Sequence, residues 1–302
     1  MNIFIAGGAG YIGSSCVEYL INNGHSVTVY DSLITGHKNA VDKRAIFIKG
    51  CLSEREKLIA LFENNSYDAI MHFAAFSLVG ESMVNPSKYF LNNISYGINL
   101  LDAAVIGKIK SFVFSSTAAT YGMPEDEFLT EKSIQLPINP YGESKLCFEK
   151  MLKWSSSVHN FTYTALRYFN AAGASENYGE DHNPESHLVP LLLQVAMKQR
   201  DKIILYGNDY ETKDGTCIRD YIHILDLAQA HMLALNVQKS GCYNLGTGNG
   251  FSVKEVINAI ESITGQVIKV EIGERRIGDP AILIADSTLA RKELGWKPIY
   301  ED

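Results

Sequence analysis

The stretch IAGGAGYIGS, residues 5–14, places a run of glycines between an apolar, strand-like segment and a helix-like segment. Gly8, Gly10 and Gly13 follow the spacing G-x-G-x-x-G, and Gly7 adds a second pattern with glycine at every third position. Glycines that follow a strand and open a helix are typical of a turn whose backbone approaches a pyrophosphate. The helix start adds free N–H groups and the positive end of the helix dipole. The stretch therefore predicts a dinucleotide-binding βα unit.

The rest of the first half of the chain alternates short β-branched runs with longer amphipathic ones. We predict strands at residues 2–7, 25–31, 45–50, 69–74 and 111–116, and helices at 11–23 and 53–65. Strands that alternate with helices predict an α/β protein with a doubly wound parallel, Rossmann-type sheet. Ligands of such sheets bind at the carboxyl ends of the strands.

The regular alternation ends near residue 170. A polar loop rich in Gly, Asn and Pro follows at 175–185, and helices and strands then come in mixed order. We therefore predict a large sheet domain at 1–170 and a smaller C-terminal α/β substrate lobe at 171–302. This division leaves open whether some C-terminal segments return to the large domain.

The bulk composition argues against several classes of protein. A net charge of −7 over 302 residues, without a block of Lys or Arg, argues against binding to nucleic acid or to an anionic membrane. No run reaches the ~18 apolar residues of a membrane-spanning helix, and the N-terminus lacks the features of a signal peptide. Five scattered cysteines, and histidines without an H-E-x-x-H pattern, predict neither a disulfide framework nor a metal site. We expect a cytoplasmic protein.

Asp31 closes the second predicted strand and follows the glycine run at a distance typical of dinucleotide-binding units. A carboxylate at this place accepts a hydrogen bond from the 2′-hydroxyl of an adenosine ribose and repels a 2′-phosphate. The acid therefore favours NAD over NADP. The alternative, a structural glycine turn followed by an unrelated acid, is disfavoured because position, spacing and acid occur together.

The stretch NPYGESK, residues 139–145, places Tyr141 one helical turn before Lys145. Such a pair is a weak signal by itself in a chain with 16 tyrosines. Its context is stronger, because Ser116 and Thr117 end the fifth predicted strand and should face the dinucleotide. A nearby cation lowers the pKa of a phenol. The set therefore predicts a proton relay for removing hydride from a carbinol.

A family resemblance runs through nearly the whole chain. The stretches that carry it, in order, are GGAGYIGS (7–14), HFAAFSLVGES (72–82), FSSTAATYG (114–122), NPYGESK (139–145), LRYFNAAGA (166–174), YGNDYETKDGTCIRDYIH (206–223), RRIGDPA (275–281) and LGWKP (294–298). By these stretches the sequence resembles the extended short-chain dehydrogenase/reductase superfamily and, within it, the UDP-glucose 4-epimerase family. The resemblance implies NAD bound in 1–170 beside the catalytic residues, and a UDP-hexose bound mainly by 171–302. It also implies interconversion of UDP-galactose and UDP-glucose by inversion at C4 through a 4-keto sugar.

The resemblance further implies roles for individual residues. Tyr141 is the base that takes the proton from O4, Lys145 tunes it and holds the nicotinamide ribose, and Thr117 bonds O4. The implied NAD contacts are Gly7, Gly10, Tyr11, Ile12, Gly13, Asp31, Cys51, Leu52, Phe73, Ala74, Ala75, Ser77, Asn92, Ser115, Tyr141, Lys145 and Tyr168. The implied UDP-sugar contacts are Thr117, Tyr141, Phe169, Asn170, His187, Leu188, Tyr206, Arg219, Arg276 and Asp279. Two arginines suit a diphosphate, because the guanidinium fork matches phosphate oxygens.

Some features depart from the family pattern. Cys51 stands where members commonly carry an Asp that bonds the adenine amino group, and Ser77 where some carry a lysine near the pyrophosphate. Both changes predict that NAD is held less firmly. Leu283 stands where some members have a large aromatic residue, which leaves room for UDP-N-acetylhexosamines. The sequence ends at Asp302, where relatives usually continue into another helix.

The alternatives to a UDP-glucose 4-epimerase lie mostly on the same fold. A sugar-nucleotide dehydratase needs an acid pair beside the threonine, and this chain has Ala118 and Ala119 there. A UDP-uronic acid 4-epimerase needs a cation for the C6 carboxylate, and none is obvious in the quoted stretches. A non-enzymatic NAD sensor would tend to lose the tyrosine or the lysine. The resemblance also implies a homodimer, with 87–106 and 140–158 as the expected helical surface.

Overall fold

The computed structural model describes residues 1–124, 126–276 and 278–300. The strands in chain order are β1 (Asn2–Ala6), β2 (Ser26–Asp31), β3 (Ile46–Lys49), β4 (Ala69–His72), β5 (Ser111–Thr117), β6 (Phe128–Leu129), β7 (Thr162–Tyr168), β8 (Asn170–Ala172), β9 (Ile203–Tyr206), β10 (Ile218–His223), β11 (Gly241–Leu245), β12 (Gly250–Ser252), β13 (Val270–Gly273) and β14 (Ile282–Ala285).

The helices lie between these strands, except that α10 follows β14. They are α1 (Tyr11–Asn22), α2 (Arg55–Asn64), α3 (Val79–Val84), α4 (Pro86–Tyr89), α5 (Tyr96–Ile106), α6 (Pro140–His159), α7 (Leu188–Ala196), α8 (Ile224–Ala234), α9 (Val253–Thr264) and α10 (Thr288–Glu293). A π-helical turn, Phe90–Ser95, joins α4 to α5. Short 3-10 turns lie at Lys38–Ala40 and Ala118–Thr120.

Seven strands form one wholly parallel sheet in the order β11-β7-β5-β4-β1-β2-β3. The predicted α/β class and Rossmann-type sheet are confirmed, and the five predicted strands are β1 to β5. The chain leaves β1 toward β2 and β3, and it then returns past β1 to β4 and β5. The reversal opens a crevice at the carboxyl ends of β1 and β4, which is where ligands of such sheets bind.

Helices cover both faces of the large sheet, as parallel strands require. On one face α1 packs against α8, and Val17, Leu20 and Leu227 enter a shared core with β1 and β2. On the other face α2, α5 and α6 contribute Phe62 and Phe148 to a second core. The buried faces of these helices therefore fix where their N-termini open onto the crevice.

The remaining strands form smaller sheets, and all of them except β6 come from the C-terminal half of the chain. One has the order β12-β10-β14-β6, with β8 paired to β10, and β9 pairs with β13. Helices α7 and α9 pack together over a separate small core. The boundary at residue 170 stays a prediction. The topology adds that α8 and β11 lie with the large sheet, although they come late in the chain.

Two general features bear on the environment of the chain. All five cysteines, Cys16, Cys51, Cys147, Cys217 and Cys242, carry free thiols. Within the described residues, every helix falls short of the length and apolar character that crossing a membrane demands.

Candidate active site

In the glycine turn between β1 and α1, two glycines lie very close to other backbone atoms. Gly7 has φ +86°, and a Cβ there would lie 2.4 Å from the backbone nitrogen of Ala74. A Cβ on Gly13 would lie 2.1 Å from the carbonyl oxygen of Gly7. Gly10 precedes α1 with no side-chain cap, so Tyr11 and the residues after it begin the helix with uncapped N–H groups. The turn fits a pyrophosphate, because only glycines allow this approach and the helix start attracts an anion.

Asp31 ends β2 beside this turn. Its carboxylate accepts hydrogen bonds from the backbone N–H groups of Ala9 (2.9 Å) and Leu33 (2.8 Å). These bonds fix the side chain at the edge of the glycine turn, where the sequence predicts an acid for the ribose of NAD. The predicted glycines and the predicted acid therefore come together, and the pair fits a dinucleotide.

A cleft of about 400 Å³ includes the predicted adenine side of the site. Cys51 and Asn92 line it together with Ile34 and Phe76. The backbone N–H of Cys51 donates to the carboxylate of Glu54 (2.6 Å), which holds the loop after β3. The described contacts bring Cys51 and Asn92 to one surface, as the predicted NAD contacts require.

The loop after β4 forms the floor of the crevice. The backbone N–H groups of Phe73 (2.7 Å) and Ala74 (3.0 Å) donate to the carbonyl of Ala6, which ties this loop to β1. The remaining predicted NAD contacts differ in exposure. Leu52 is buried, Ile12 and Ala75 are partly buried, and Ser77 is exposed.

Tyr141 and Lys145 lie in the first two turns of α6, at the carboxyl end of β5. The helix starts at Pro140, and the Asn139 side chain caps it by accepting from the N–H of Gly142 (2.8 Å). The side chains of Tyr141 and Lys145 are 9% and 3% exposed. The Lys145 Nζ lies 6.0 Å from the centre of the Tyr141 ring. The predicted pair is therefore buried inside the site and is not a surface feature.

The end of β5 supplies the polar partners of this pair. Lys145 Nζ donates to the carbonyl oxygen of Ser115 (2.8 Å), and the Ser115 hydroxyl is hydrogen-bonded to the Tyr168 hydroxyl. The Thr117 side chain bonds the Tyr141 hydroxyl and accepts from the N–H of Ala119 (3.1 Å). The structure therefore brings together all the predicted catalytic residues and two further predicted NAD contacts, Ser115 and Tyr168.

Burial dominates the electrostatics of the pair. Burial lowers the pKa of Lys145 to about 7, and the carboxylate of Glu149 acts in the opposite direction. Burial also raises the pKa of Tyr141 above its ordinary value, while the hydrogen bond from Thr117 acts to lower it. Within the chain alone the phenol therefore stays neutral at pH 7. Further positive charge beside it is needed to make it a base.

Sequence reasoning missed the buried network behind these residues. Glu149 lies one turn beyond Lys145, and its carboxylate forms a buried ion pair with Arg167 of β7 (2.6 Å). The Ser116 hydroxyl donates to the same carboxylate, and Arg167 donates to the Tyr121 hydroxyl. The i, i+4 spacing of Glu149 from Lys145 was the available signal. Its partner on β7 comes from the tertiary fold.

The predicted UDP-sugar contacts begin directly after β7. Phe169 packs in a small apolar cluster with Ala118 and Leu283. The side-chain amide of Asn170 donates to the carbonyl of Asp220 in β10 (3.0 Å). These contacts join the carboxyl end of β5, where the predicted catalytic residues lie, to the sheet around β10.

The two predicted arginines have different surroundings. Arg219 of β10 forms a partly buried ion pair with Asp279. Arg276 stacks on the ring of Tyr206, with its guanidinium carbon 4.1 Å from the ring centre. Four of the predicted substrate contacts are therefore held as two pairs, and neither pair is a simple surface salt bridge.

His187 and Leu188 mark the start of α7. The His187 ring contacts carboxylates, with its Nδ1 2.5 Å from Glu180 and 3.4 Å from Glu185. His182 lies against the same two carboxylates. The described contacts of the His187 side chain thus lie within its own loop. Sequence reasoning missed this grouping, which the spacing of acids and histidines in 180–187 could have indicated.

Comparison with known proteins gives one consistent result. A model of the NAD dependent epimerase/dehydratase family matches residues 3–246. The chain is 51% identical over 308 residues to the UDP-glucose 4-epimerase of Lacticaseibacillus casei, a match that covers 100% of this chain and 93% of that protein.

Solved structures agree with the sequence match. The UDP-glucose 4-epimerase from Brucella ovis in complex with NAD matches with a TM-score of 0.96 at 43% identity, over 100% of this chain and 94% of that one. The UDP-glucose 4-epimerase from Bifidobacterium longum in complex with NAD⁺ and UDP matches with a TM-score of 0.94 at 36% identity, over 99% and 93% of the two chains.

Proposed function

The chain belongs to the NAD dependent epimerase/dehydratase family, and from that membership we propose how its residues carry out the reaction. The enzyme is an isomerase that uses NAD to interconvert UDP-galactose and UDP-glucose by inverting C4. The observation that carries the residue assignment is the buried Tyr141–Lys145 pair beside Ser115 and Thr117 at the end of β5. This pair lies at the crevice formed by the strand order.

Tyr141 takes the proton from the C4 hydroxyl as the 4-keto sugar forms, and it returns that proton in the second half of the reaction. When bound, NAD supplies the acceptor and later the donor of the C4 hydride. Thr117 holds O4 through its hydroxyl, which already reaches the phenol. Lys145, fixed by the Ser115 carbonyl, holds the nicotinamide ribose and adds positive charge that favours the phenolate, to which the positive ring of NAD would add when bound.

The cofactor is held from the side of the glycine turn. Gly7, Gly10 and Gly13 admit the pyrophosphate to the start of α1, and Asp31 accepts from the adenosine ribose. The cleft lined by Cys51 and Asn92 takes the adenine, and the buried Leu52 follows Cys51 in the same loop. Tyr11, Ile12, Phe73, Ala74, Ala75, Ser77 and Tyr168 complete the proposed NAD contacts.

The UDP-sugar is bound by the second lobe. Arg219 and Arg276 meet the diphosphate, and Asp279 orients Arg219 through their ion pair. Tyr206, which already stacks on Arg276, presents its ring for the uracil. Phe169, Asn170, His187 and Leu188 complete the proposed substrate contacts. The two arginines neutralise the diphosphate locally, so a chain of net charge −7 can still bind an anionic substrate.

The first experiment mixes the purified protein with UDP-galactose, adds no cofactor, and follows UDP-glucose. Turnover under these conditions supports the reaction with NAD retained on the protein. Turnover only after NAD is added supports the reaction together with weak retention, the result expected from Cys51 and the exposed Ser77. Failure in both conditions, with NAD shown to bind, contradicts the proposed function.

We also propose that UDP-N-acetylhexosamines are accepted, because Leu283 lies beside Phe169 and Ala118 and is smaller than an aromatic residue. The test compares kcat/KM for UDP-galactose and UDP-N-acetylgalactosamine. A ratio above about 10⁴ in favour of UDP-galactose would contradict the idea, since a small change in pocket volume alters selectivity by only about 10–200-fold. Leu283→Tyr is the matched variant, and it should reduce only the reaction of the N-acetylated sugar.

We propose that the enzyme is a cytoplasmic homodimer. The free thiols support a reducing compartment, since secreted domains commonly pair their cysteines. Large apolar side chains on 87–106 and 140–158 support a dimer, because such exposed groups mark interaction surfaces. Cell fractionation with an antibody to the protein tests the location.

A further inference from the structure

A second cluster of chemically active side chains lies in the loop before α7, beside the proposed substrate contacts. It consists of Glu180, His182, Glu185 and His187, and we call it the loop cluster. One ligand atom from each residue lies within 4.8 Å of all the others. The loop cluster shares no residue with the Tyr141–Lys145 pair or with the proposed NAD contacts, and it shares only His187 with the proposed substrate contacts.

The distances within the loop cluster suit a single small cation. Nδ1 of His182 lies 3.2 Å from Glu180 and 3.7 Å from Glu185, and Nδ1 of His187 lies 3.4 Å from Glu185. Four ligands at about 2.1 Å from a tetrahedral metal lie about 3.4 Å from one another. The fourth distance, 2.5 Å between Nδ1 of His187 and Oε1 of Glu180, is a direct contact, and metal binding would lengthen it slightly.

The two carboxylates of the loop cluster are buried and therefore need a positively charged partner. The side chains of Glu180 and Glu185 are only 9% and 7% exposed, and carboxylates at this depth require a positive partner. In the part of the chain that the structure describes, their ion pairs are with His182 and His187 alone. When ionised, the two carboxylates carry two negative charges, and one divalent cation balances both.

His182 points to the same conclusion. Its Nδ1 is buried and forms no hydrogen bond, although the Glu180 carboxylate is 3.2 Å away. The two carboxylate oxygens of Glu185 have different partners. Oε1 accepts hydrogen bonds from the backbone N–H groups of Ser186 and His187, whereas Oε2 faces His182. An unpartnered imidazole nitrogen and an available carboxylate oxygen thus face each other.

The donor set indicates the class of metal. Two imidazole nitrogens and two carboxylate oxygens favour a borderline divalent cation such as Zn²⁺ over Mg²⁺ or Ca²⁺, which prefer oxygen alone. Four protein ligands also fill a tetrahedral shell, which is typical of a structural site. We propose that the loop cluster binds one Zn²⁺-class cation that fixes the loop of residues 175–187 against the glycine turn.

The residues around the loop cluster connect the proposed cation site to the glycine turn and to α7. The His182 ring packs edge-on against Tyr11, the first residue of α1, with ring centres 6.2 Å apart. The Tyr11 hydroxyl donates to the carbonyl of Gly173 (2.6 Å), at the other end of the loop. His187 leads directly into α7. The metal therefore joins the cofactor turn to the lobe that binds the substrate.

The test measures metal content rather than activity. The full chain is produced without a histidine tag, purified without chelator, equilibrated with Zn²⁺, desalted and measured by mass spectrometry. We expect about one zinc per chain. Glu180→Gln and His182→Asn should each weaken zinc binding by about 100-fold or more, since even outer-shell changes cost 10–100-fold. The matched control is His37→Asn, because His37 contacts Asp181 of the same loop without belonging to the cluster.

Two results would overturn the proposal. One is a wild-type protein that takes up no zinc, and the other is equal zinc content in the wild type and both variants. If the variants do not fold, X-ray absorption of zinc in the wild-type protein decides. A shell of nitrogen and oxygen at about 2.0–2.2 Å supports the loop cluster, while sulfur neighbours would assign the zinc to cysteines and reject it.

Discussion

Lys145 is the residue on whose charge the proposed reaction most depends. Its ammonium group is buried between the Phe114 ring, 4.8 Å away, and the Tyr141 ring, and it donates to one backbone carbonyl. Burial lowers its pKa to about 7, against the effect of Glu149. A lysine in this state changes charge near neutral pH. Charges brought by bound molecules therefore decide whether it is an ammonium ion.

The lowered pKa of Lys145 has a measurable effect on stability. Between about pH 7 and the unfolded value of 10.5, the unfolded chain holds a proton that the folded chain has lost. The free energy of unfolding should therefore rise with pH in this window. Lys145→Met removes this contribution, so the wild type should gain about 2 kcal/mol over the variant from pH 7 to 9.

Urea unfolding at pH 7, 8 and 9, with both proteins in the same cofactor state, measures this difference. The variant serves as the control for all other titrating groups, because the two proteins differ only at Lys145. Parallel stability curves for the two proteins would show that the lysine keeps an ordinary pKa in the folded state.

Tyr141 gives the sharpest test of the catalytic assignment. Tyr141→Phe removes only the hydroxyl that carries the proton, so kcat should fall by about 1,000-fold while NAD and UDP still bind. Turnover of UDP-galactose and calorimetric binding of UDP measure the two effects. Tyr163→Phe is the matched control, since Tyr163 is equally buried but lies in the core of the sheet. An active Tyr141→Phe enzyme would exclude Tyr141 as the base.

At the scale of single elements, α6 organises the site. It starts at an Asn cap and a proline, and it buries Tyr141, Lys145 and Glu149 on successive turns. These three side chains share one face because residues four apart lie one above the other. The helix thus presents a phenol, a cation and an anion to the end of β5 in a fixed order.

The turn before α1 is the second organising element, and Gly13→Ala tests it. The new methyl group would lie 2.1 Å from the carbonyl oxygen of Gly7 and 2.9 Å from Gly8, so the backbone must move. We expect a loss of about 3 kcal/mol in unfolding free energy and at least a tenfold weaker binding of NAD. Chemical denaturation and NAD titration measure the two quantities.

Gly80→Ala is the matched control for the glycine turn. Nothing lies within 4 Å of a Cβ at Gly80, which sits inside the short helix α3. The change should leave NAD binding as it is and should not lower stability, because Ala favours helix more than Gly. Equal behaviour of the two variants would mean that the close approach at Gly13 is not required.

The parts of the fold that were predictable are those with local signals. Strands β1 to β5 have apolar runs, and the glycine turn and the Tyr141–Lys145 pair have fixed spacings. Strand was expected within 201–223, where β9 and β10 lie, but the short strands of the smaller sheets were missed because several, such as β6 and β12, have only two or three residues. So short a run shows no periodicity, and only pairing with a distant strand makes it a strand.

The candidate site shows the same division between local and distant signals. Sequence placed Thr117, Tyr141 and Lys145 together because each stands at the end of a predicted element. It could not place Arg167 behind them, since that contact joins β7 to α6 across the sheet. The loop cluster was missed for a similar reason, because its four ligand atoms converge only through the path of the loop.

At the scale of the whole molecule, the surface of α5 and α6 predicts association of two chains. Trp154 and Val158 on α6 are 73% and 71% exposed, and Leu91 and Ile98 on the neighbouring segment are also exposed. Trp154→Glu places a charge on this surface, so the dimer should dissociate about 100-fold more readily. Sedimentation equilibrium measures the association constant.

Ile263→Glu is the control for the dimer surface, since Ile263 is 83% exposed on α9 in the smaller lobe. It should leave the association constant unchanged. If the wild type is monomeric at every concentration, or if Trp154→Glu associates as well as the wild type, the α5–α6 surface is not the interface.

The position of β11 at the end of the large sheet has a consequence for synthesis on the ribosome. When β7 has emerged, its outer edge has no partner, because β11 is encoded some 75 residues later. At about 5–20 residues per second this interval lasts roughly 4–15 s. During that time the nascent chain carries an open strand edge that can pair with neighbouring chains. Slower translation of residues 169–240 should therefore lengthen the exposure of this edge.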